Sequence, residues 1–396
     1  MSKESTSTSK EPNSRLDVPF GANEVRLSWW QWIVVFVFVG TIVFSLPGWW
    51  VARESIPFET NFRVPYELSK DYWLYEEWLK EADAADAVFV VGDSVVWGEY
   101  VSRTGTLSAF LNESEAGERT FVNAGVNGLF PLALEGLVKS FGSTITERRV
   151  LLHCNLLWMT SEEADLSSSK EQRFNHPRLV PQFSPRIPCY RASFDERLGI
   201  VIERNSSFLS FVRHLQNTYF EQKGLYQWTL ADDGDYPPQY PNSYRLPHEM
   251  IRFEVPGESD ADPDRGEQSA RHKPWSTTGE GAQNFPWVPL ETSLQWKAFQ
   301  RLVEVFQKRG NQLLVVVGPL NRHIMSAENQ VDFDDRQSAV VRWLEDQEVS
   351  HVVPEPLAWE LYGDASHPLT EGYRAMASAL RGDAAFEDWL GSTETQ

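Results

Sequence analysis

The stretch Ala87–Tyr100, AVFVVGDSVVWGEY, decides the fold of this chain. Residues 87–91 form a short apolar, β-branched run, which is typical of a fully buried strand in a parallel sheet. The run stops at Gly92-Asp93-Ser94, where glycine permits a sharp turn and the serine follows the end of the strand. Ligands of open α/β sheets bind outside the carboxyl ends of the strands, so Ser94 is a candidate for chemistry. The alternative is an ordinary Gly-Asp-Ser turn.

Composition limits the functional classes. The 396 residues can form one large domain or two smaller ones, and the formal net charge of −20 argues against a nucleic-acid partner. The two cysteines, Cys154 and Cys189, lack metal-ligand spacing and make no disulfide framework. One bond between them is conceivable in an oxidising compartment, although Cys154 lies in an apolar run and is more simply a buried thiol. We predict no metal and no cofactor.

The N-terminal part is predicted to be a disordered tail (1–28) followed by a transmembrane helix (29–50). No charged residue lies between Leu27 and Ala52, and tryptophan clusters stand at both ends of an apolar middle. Tryptophan belts of this kind belong at the two membrane interfaces. A buried helix or a cleaved signal peptide would be the alternatives. We predict a single-pass protein of the cell membrane, with the lipid bilayer as a partner and the large domain extracytoplasmic, although the charge bias across the helix is small.

The remaining chain alternates strands and helices, which predicts an α/β domain with a parallel sheet and right-handed crossovers. A tether (51–66) leads into a first part (67–159) that contains an amphipathic helix and three strands. An aromatic and proline-rich insertion (160–290) follows, with helical periodicity only at 194–220, and we place it over the carboxyl edge of the sheet. The second part (291–384) is predicted to carry two strands (312–317 and 350–353) and three helices (294–308, 335–346 and a closing helix to about 380), with 385–396 as a C-terminal tail. Asn321 follows a strand there and is a possible pocket residue.

Four separated motifs resemble those of the SGNH (GDSL-type) hydrolases. They are Gly92-Asp93-Ser94 after the first strand, Gly128 after the second, Asn155 after the third, and Asp364-x-x-His367 before the last helix. The resemblance covers about residues 85–158 and 294–382. It implies a flavodoxin-like three-layer α/β/α fold and ester hydrolysis or acyl transfer. Several membrane-anchored branches of that family act on acyl groups of cell-envelope polysaccharides.

The resemblance also implies roles for these residues. Ser94 would be the nucleophile and His367 its base, and Asp364 would fix the imidazole tautomer, which agrees with the general chemistry of a serine activated by histidine. The backbone N–H groups of Ser94 and Gly128 and the Asn155 amide would bind the oxyanion.

Three of these assignments have competing interpretations. Gly125 competes with Gly128 for the oxyanion role. The third motif reads His153-Cys154-Asn155-Leu156, without the glycine and aspartate of the family's Gly-x-Asn-Asp, so Asn155 could simply cap a turn. Asp364 and His367 could likewise be a helix-capping pair. His153 is more typical of a structural histidine than of a second base, and Asp93 of a turn-stabilising carboxylate.

The expected function is therefore that of a membrane-anchored serine esterase or acyltransferase. Its substrate would be an ester-linked acyl group, with acetyl favoured, on an acylated cell-envelope carbohydrate. The main alternative is a catalytically idle SGNH-like domain that binds a polysaccharide or an assembly partner. A lipid-directed esterase would be favoured if the insertion presented an apolar face to the bilayer.

Overall fold

A computed structural model describes residues 27–57, 61–113, 120–224, 227–228, 250–257, 273–278 and 282–391. The chain divides into two units, Met1–Trp49 and Trp50–Gln396. Helix α1, Trp29–Val51, has 23 residues and is long and apolar enough to cross a membrane, judged by length and composition alone. Most of the predicted N-terminal tail lies outside the described residues.

The second unit is built on one parallel sheet, which confirms the predicted α/β class. Its strands are β1 Val88–Gly92, β2 Phe121–Gly125, β3 Arg149–Cys154, β4 Gln312–Val317 and β5 Ser350–Val352. They are ordered β2-β1-β3-β4-β5, and every pairing is parallel. Gly92 of β1 stands opposite Gly125 of β2, and Val91 opposite Leu152 of β3. The carboxyl ends of these three strands therefore meet at one edge.

The helices of this unit are α2 Tyr72–Ala84, α3 Ser94–Trp97, α4 Leu107–Leu111, α5 Pro131–Phe141, α6 Phe194–Arg204, α7 Ser207–Tyr219, α8 Trp275–Thr278, α9 Leu294–Lys308, α10 Ala327–Asp346, α11 Thr370–Arg381 and α12 Ala384–Gly391. The periodic span 194–220 forms two helices because Ser206 caps a new one after Asn205 ends α6. Helix α10, predicted from Asp335, begins at Ala327, where the Ser326 hydroxyl accepts a hydrogen bond from the N–H of Asn329.

Helices cover both faces of the sheet. Because successive strand residues point to opposite faces, Phe89 and Val91 pack with α2, α5 and α9, whereas Val88 and Val90 pack with α4, α11 and α12. Insertion residues such as Leu166 and Leu179 join the core on the α2 and α5 face. Both cysteine thiols are buried and free.

The predicted tether is wrong for residues 61–66. Two prolines suggested an extended linker, yet Phe62, Arg63 and Val64 are buried. The Arg63 guanidinium donates to the carbonyls of Trp97, Gly98 and Val101 at 2.6–2.9 Å, so the segment is fixed against the loop that follows α3. A buried guanidinium needs such acceptors, and no linear sequence pattern reveals them.

The predicted C-terminal tail is also wrong in part. Helix α12 buries Phe386 and Trp389 against the same face of the sheet as α11. The Trp389 indole N–H donates to the carbonyl of Gln312 at 3.0 Å. Two aromatics three residues apart supply the burial that a short terminal helix requires. Residues 392–396 lie outside the described part of the chain.

Candidate active site

Ser94 begins α3 directly beyond the carboxyl end of β1. Close packing fixes this turn, because a Cβ at Gly92 would lie 2.9 Å from the Cβ of His153. The Asp93 carboxylate caps α3 by accepting the N–H of Val95 at 3.0 Å, as expected for a turn-stabilising residue. Ser94 is buried, with 8% of its surface exposed.

The three predicted catalytic residues lie in one chain of hydrogen bonds. His367 Nε2 is 2.8 Å from Ser94 Oγ, and His367 Nδ1 is 2.8 and 2.9 Å from the two carboxylate oxygens of Asp364. The backbone N–H groups of Ser366 and His367 donate to Asp364 Oδ1 at 2.9 Å each. The loop before α11 thus holds both the acid and the base, and the serine comes from the opposite half of the sequence.

Electrostatic interactions determine the protonation states of Asp364 and His367. Burial opposes ionisation of Asp364, but the charge and hydrogen bond of His367, together with the two backbone N–H groups, lower its pKa to about 2. Burial also disfavours the His367 imidazolium. The negative charge of Asp364 and its hydrogen bond to His367 outweigh this effect of burial, and the charges of Asp93 and Glu99 add to them. The pKa of His367 is therefore raised above its usual value.

These states give the imidazole one useful tautomer. Because Asp364 is ionised and only accepts, Nδ1 of His367 carries the proton and Nε2 is free to accept from the Ser94 hydroxyl. An imidazole in that orientation can remove the serine proton and later return it to a leaving group. The arrangement is competent for nucleophilic attack by Ser94 on an electrophilic carbon.

Two side chains form hydrogen bonds that hold Asp364 in position. The Tyr100 hydroxyl donates to Asp364 Oδ2 at 2.8 Å, and its ring lies edge-on to the His367 ring with centroids 5.2 Å apart. No sequence signal pointed to Tyr100, because only the folded loop brings it to Asp364. Asn321, predicted as a pocket residue, is instead completely buried and donates from Nδ2 to the Asp364 carbonyl at 3.1 Å. Its role is to hold the acid loop.

The predicted oxyanion residues lie at the carboxyl ends of the strands that flank β1. Gly128 follows β2 with φ +72°, a left-handed conformation that favours glycine. Asn155 follows β3; its Nδ2 donates to Asp93 Oδ2 at 2.8 Å, and its Oδ1 accepts the N–H of Leu157 at 3.0 Å. One amide hydrogen of Asn155 is therefore committed to Asp93. The oxyanion role of both residues stays a prediction.

Residues in and next to the altered third motif hold the Asp93 carboxylate in place. His153 Nδ1 is 3.2 Å from Asp93 Oδ1 and its Nε2 is 2.9 Å from the Gly318 carbonyl, so both ring nitrogens face acceptors. The Trp158 indole N–H also donates to Asp93 at 2.8 Å. Burial raises the pKa of Asp93, but the charge of His153 and these donors outweigh it and lower the pKa to about 2. Strand β3 thus anchors the residue next to the nucleophile.

Within the described ranges, no group of three or more His, Cys, Asp and Glu side chains is arranged to hold a metal ion. The chain matches no protein-family model, and no curated protein is significantly similar to it.

Proposed function

We propose that this chain is a membrane-anchored serine esterase or acyltransferase of the SGNH type, which acts on an ester-linked acyl group of a cell-envelope carbohydrate, with acetyl favoured. The observation that carries the proposal is the hydrogen-bonded series from Ser94 Oγ through His367 to Asp364. The strand order supports it, because β2-β1-β3-β4-β5 is the flavodoxin-like order, and ligands of such sheets bind at their carboxyl edge. Helix α1 would anchor the domain, which we place on the extracytoplasmic side.

The first half of the reaction forms an acyl-enzyme. Ser94 Oγ attacks the ester carbonyl carbon while His367 Nε2 takes the hydroxyl proton, and Asp364 stabilises the resulting imidazolium. The oxyanion would be bound by the N–H groups of Ser94 and Gly128 and by the uncommitted amide hydrogen of Asn155. Cleavage of the carbon–oxygen bond releases the alcohol, which takes its proton from His367 Nε2.

The second half returns the enzyme to its starting state. Either water or a second sugar hydroxyl loses its proton to His367 and attacks the acyl carbon, and the Ser94 oxygen leaves with the proton from Nε2. Water makes the protein a hydrolase and a sugar hydroxyl makes it a transferase. The same three side chains serve both outcomes, so the choice depends on what occupies the alcohol side of the site.

The idle-domain alternative accounts less well for the site. A domain that only binds has no need for an ionised carboxylate, a single imidazole tautomer and a serine hydroxyl at hydrogen-bond distance. Perturbed and mutually oriented titratable groups are typical of catalytic sites. We therefore favour the enzyme.

Labelling of the detergent-solubilised full chain with a fluorophosphonate tests the proposal. The wild-type chain should be labelled. The Ser102→Ala control, which removes an exposed serine from the loop after α3, should be labelled as well, whereas Ser94→Ala should not. Release of p-nitrophenol from acetate and butyrate esters should fall by several orders of magnitude in Ser94→Ala. Equal labelling of Ser94→Ala would contradict the assignment, and an unlabelled wild type would favour the binding domain.

A lipid-directed esterase is the second candidate, and one observation favours it. Helix α6 buries none of its residues, and Phe194, Leu198 and Ile202, spaced four apart on one face, are all exposed. An apolar face of this kind can lie on a bilayer. If lipid is the substrate, dihexanoyl-phosphatidylcholine should be cleaved faster than an acetylated sugar, and Leu198→Asp should slow only the lipid reaction.

A further inference from the structure

A polar pocket of about 280 Å³ adjoins the loop that carries Gly128. Its wall combines three parts of the chain: residues 66–70 before α2, Asn127 after β2, and insertion residues that include Asn175, His176 and Gln222. Asn127 directly precedes Gly128. A Cβ at Gly128 would lie 2.6 Å from Asn175 Nδ2, so the insertion packs directly on this loop. A ligand in the pocket would therefore be a neighbour of the predicted oxyanion donor.

The floor of the pocket is held rigidly. His176 Nε2 donates to the Asn127 carbonyl at 2.8 Å, and His176 Nδ1 accepts from the Tyr72 hydroxyl at 3.0 Å. Burial lowers the pKa of His176 to about 4, so the ring is neutral and keeps this one tautomer at physiological pH. The loop before Gly128 thus has a fixed position before any ligand arrives, which reduces the entropy lost on binding.

One donor in this wall lacks a partner. The Asn127 Nδ2 is buried and has no hydrogen-bond partner in the described part of the chain. Buried polar atoms are nearly always paired, and an exception calls for an explanation. A ligand oxygen in the pocket would supply the acceptor after a small rotation of the Asn127 side chain.

The wall chemistry identifies the ligand class. The amides of Asn127, Asn175 and Gln222 offer both donors and acceptors, Lys70 adds an ammonium and Glu67 a carboxylate. Tyr66 is 43% exposed and presents an aromatic surface. Vicinal hydroxyls above one apolar ring face match this set, whereas an alkyl chain would leave the amides unpaired.

We propose that this pocket, defined by Tyr66, Lys70, Asn127, Asn175, His176 and Gln222, binds the sugar ring that carries the ester, so that the alcohol side of the substrate lies next to Gly128. This assignment rests on the proposed function. It separates the sugar subsite, which the insertion completes, from the triad, which the two SGNH-like parts supply.

The test compares a substrate that contains the sugar with one that lacks it. With the detergent-solubilised full chain, Lys70→Met and Gln222→Ala should each raise KM for methyl 6-O-acetyl-glucoside about tenfold, since each removes one hydrogen bond to the sugar. Their kcat/KM for p-nitrophenyl acetate should stay within about twofold of wild type. Lys308→Met, on the exposed side of α9, is the matched control and should change neither value.

The possible outcomes distinguish a failure of the sugar-subsite proposal from a failure of the proposed function. An unchanged KM for the sugar ester, or an equal loss on both substrates, would overturn the sugar subsite even if Ser94-dependent activity is present. If neither ester is turned over, the proposed function fails. Saturation-transfer NMR of methyl glucoside with the Ser94→Ala chain then tests sugar binding in the pocket independently of turnover. A signal that is lost in Ser94→Ala/Lys70→Met supports the sugar subsite, and no signal with either chain contradicts it.

Discussion

The Tyr100 hydroxyl donates a hydrogen bond to Asp364 Oδ2 over 2.8 Å, although the two residues are separated by more than 260 positions in sequence. Tyr100 follows α3, and its loop is held by the buried guanidinium of Arg63 through the carbonyls of Trp97, Gly98 and Val101. Asp364, the proposed acid, is therefore oriented by the segment that also carries Ser94, the proposed nucleophile. Tyr100 acts through Asp364 and is a positioning residue.

Tyr100→Phe should lower kcat for p-nitrophenyl acetate about tenfold and leave KM nearly unchanged. The loss is at the low end for a hydrogen bond to a charged group, because the Asp364 side chain is 36% exposed and water can replace the hydroxyl. Tyr190→Phe, which removes a hydroxyl bonded to Gln182 in the insertion, is the control. A rise in KM at constant kcat would contradict a positioning role.

Asp364→Asn should change the pH profile as well as the rate. His367 must be neutral to act as base, so kcat/KM rises with pH through the raised pKa of His367 and the acid limb lies above pH 6.5. Without the carboxylate, the main cause of that increase is lost and the limb should move to lower pH. The maximum rate should fall about 10⁴-fold, because the imidazole tautomer is no longer fixed. A limb that stays in place would indicate another titrating group.

Gly128→Ala should reduce turnover by about 10²–10³, the usual effect of a misplaced oxyanion donor. The new methyl group would lie 2.6 Å from Asn175 Nδ2, and φ +72° disfavours any side chain. Asn175→Gly removes the clash but not the backbone preference. The double variant should therefore recover part of the lost rate, and a double variant as slow as Gly128→Ala alone would show that the contact with Asn175 does not matter.

His153→Leu should destabilise the fold by about 2 kcal/mol, since it removes the hydrogen bond between His153 Nδ1 and the buried Asp93 carboxylate. Asp93→Asn in the same chain should restore much of the loss, so the two substitutions should be clearly non-additive. Denaturant unfolding in mild detergent, followed by tryptophan fluorescence, measures the cycle. His351→Leu, at a half-buried histidine of β5, is the control. Strict additivity would exclude an energetic coupling between His153 and Asp93.

Much of the fold was predictable because its elements follow local patterns. The β-branched runs gave the buried strands, and helix α9 and strand β4 have the predicted bounds, Leu294–Lys308 and Gln312–Val317. The proximity of Ser94, His367 and Asp364 was expected from the resemblance of their motifs to those of the SGNH hydrolases, and their catalytic roles stay predictions. The membrane role of α1 and the SGNH identity stay predictions.

Long-range polar contacts were not predictable. Arg63 looked like part of a linker, although its three carbonyl acceptors lie more than 30 residues away. His214 appeared only as one histidine in a helix, yet it is fully buried between Asp71 and Glu54, at 2.9 and 3.0 Å. Such partners are chosen by tertiary packing, and a local pattern contains no information on them. For the same reason, the hydrogen bonds from Tyr100 to Asp364 and from Asn155 to Asp93 could not be predicted from the sequence.

The sheet separates two tasks that its two faces can perform independently. The residues proposed to move protons depend on α3 and α11, which pack with α4 and α12 on one face. The described part of the insertion packs mainly on the other face, where Asn175 contacts the Gly128 loop, and the Trp275 N–H donates to the Tyr362 carbonyl at 2.7 Å. A protein built in this way is modular. Changes in the insertion around Asn175 could redirect the proposed enzyme to a different alcohol without altering the proposed proton relay, and diversity among related chains should concentrate there.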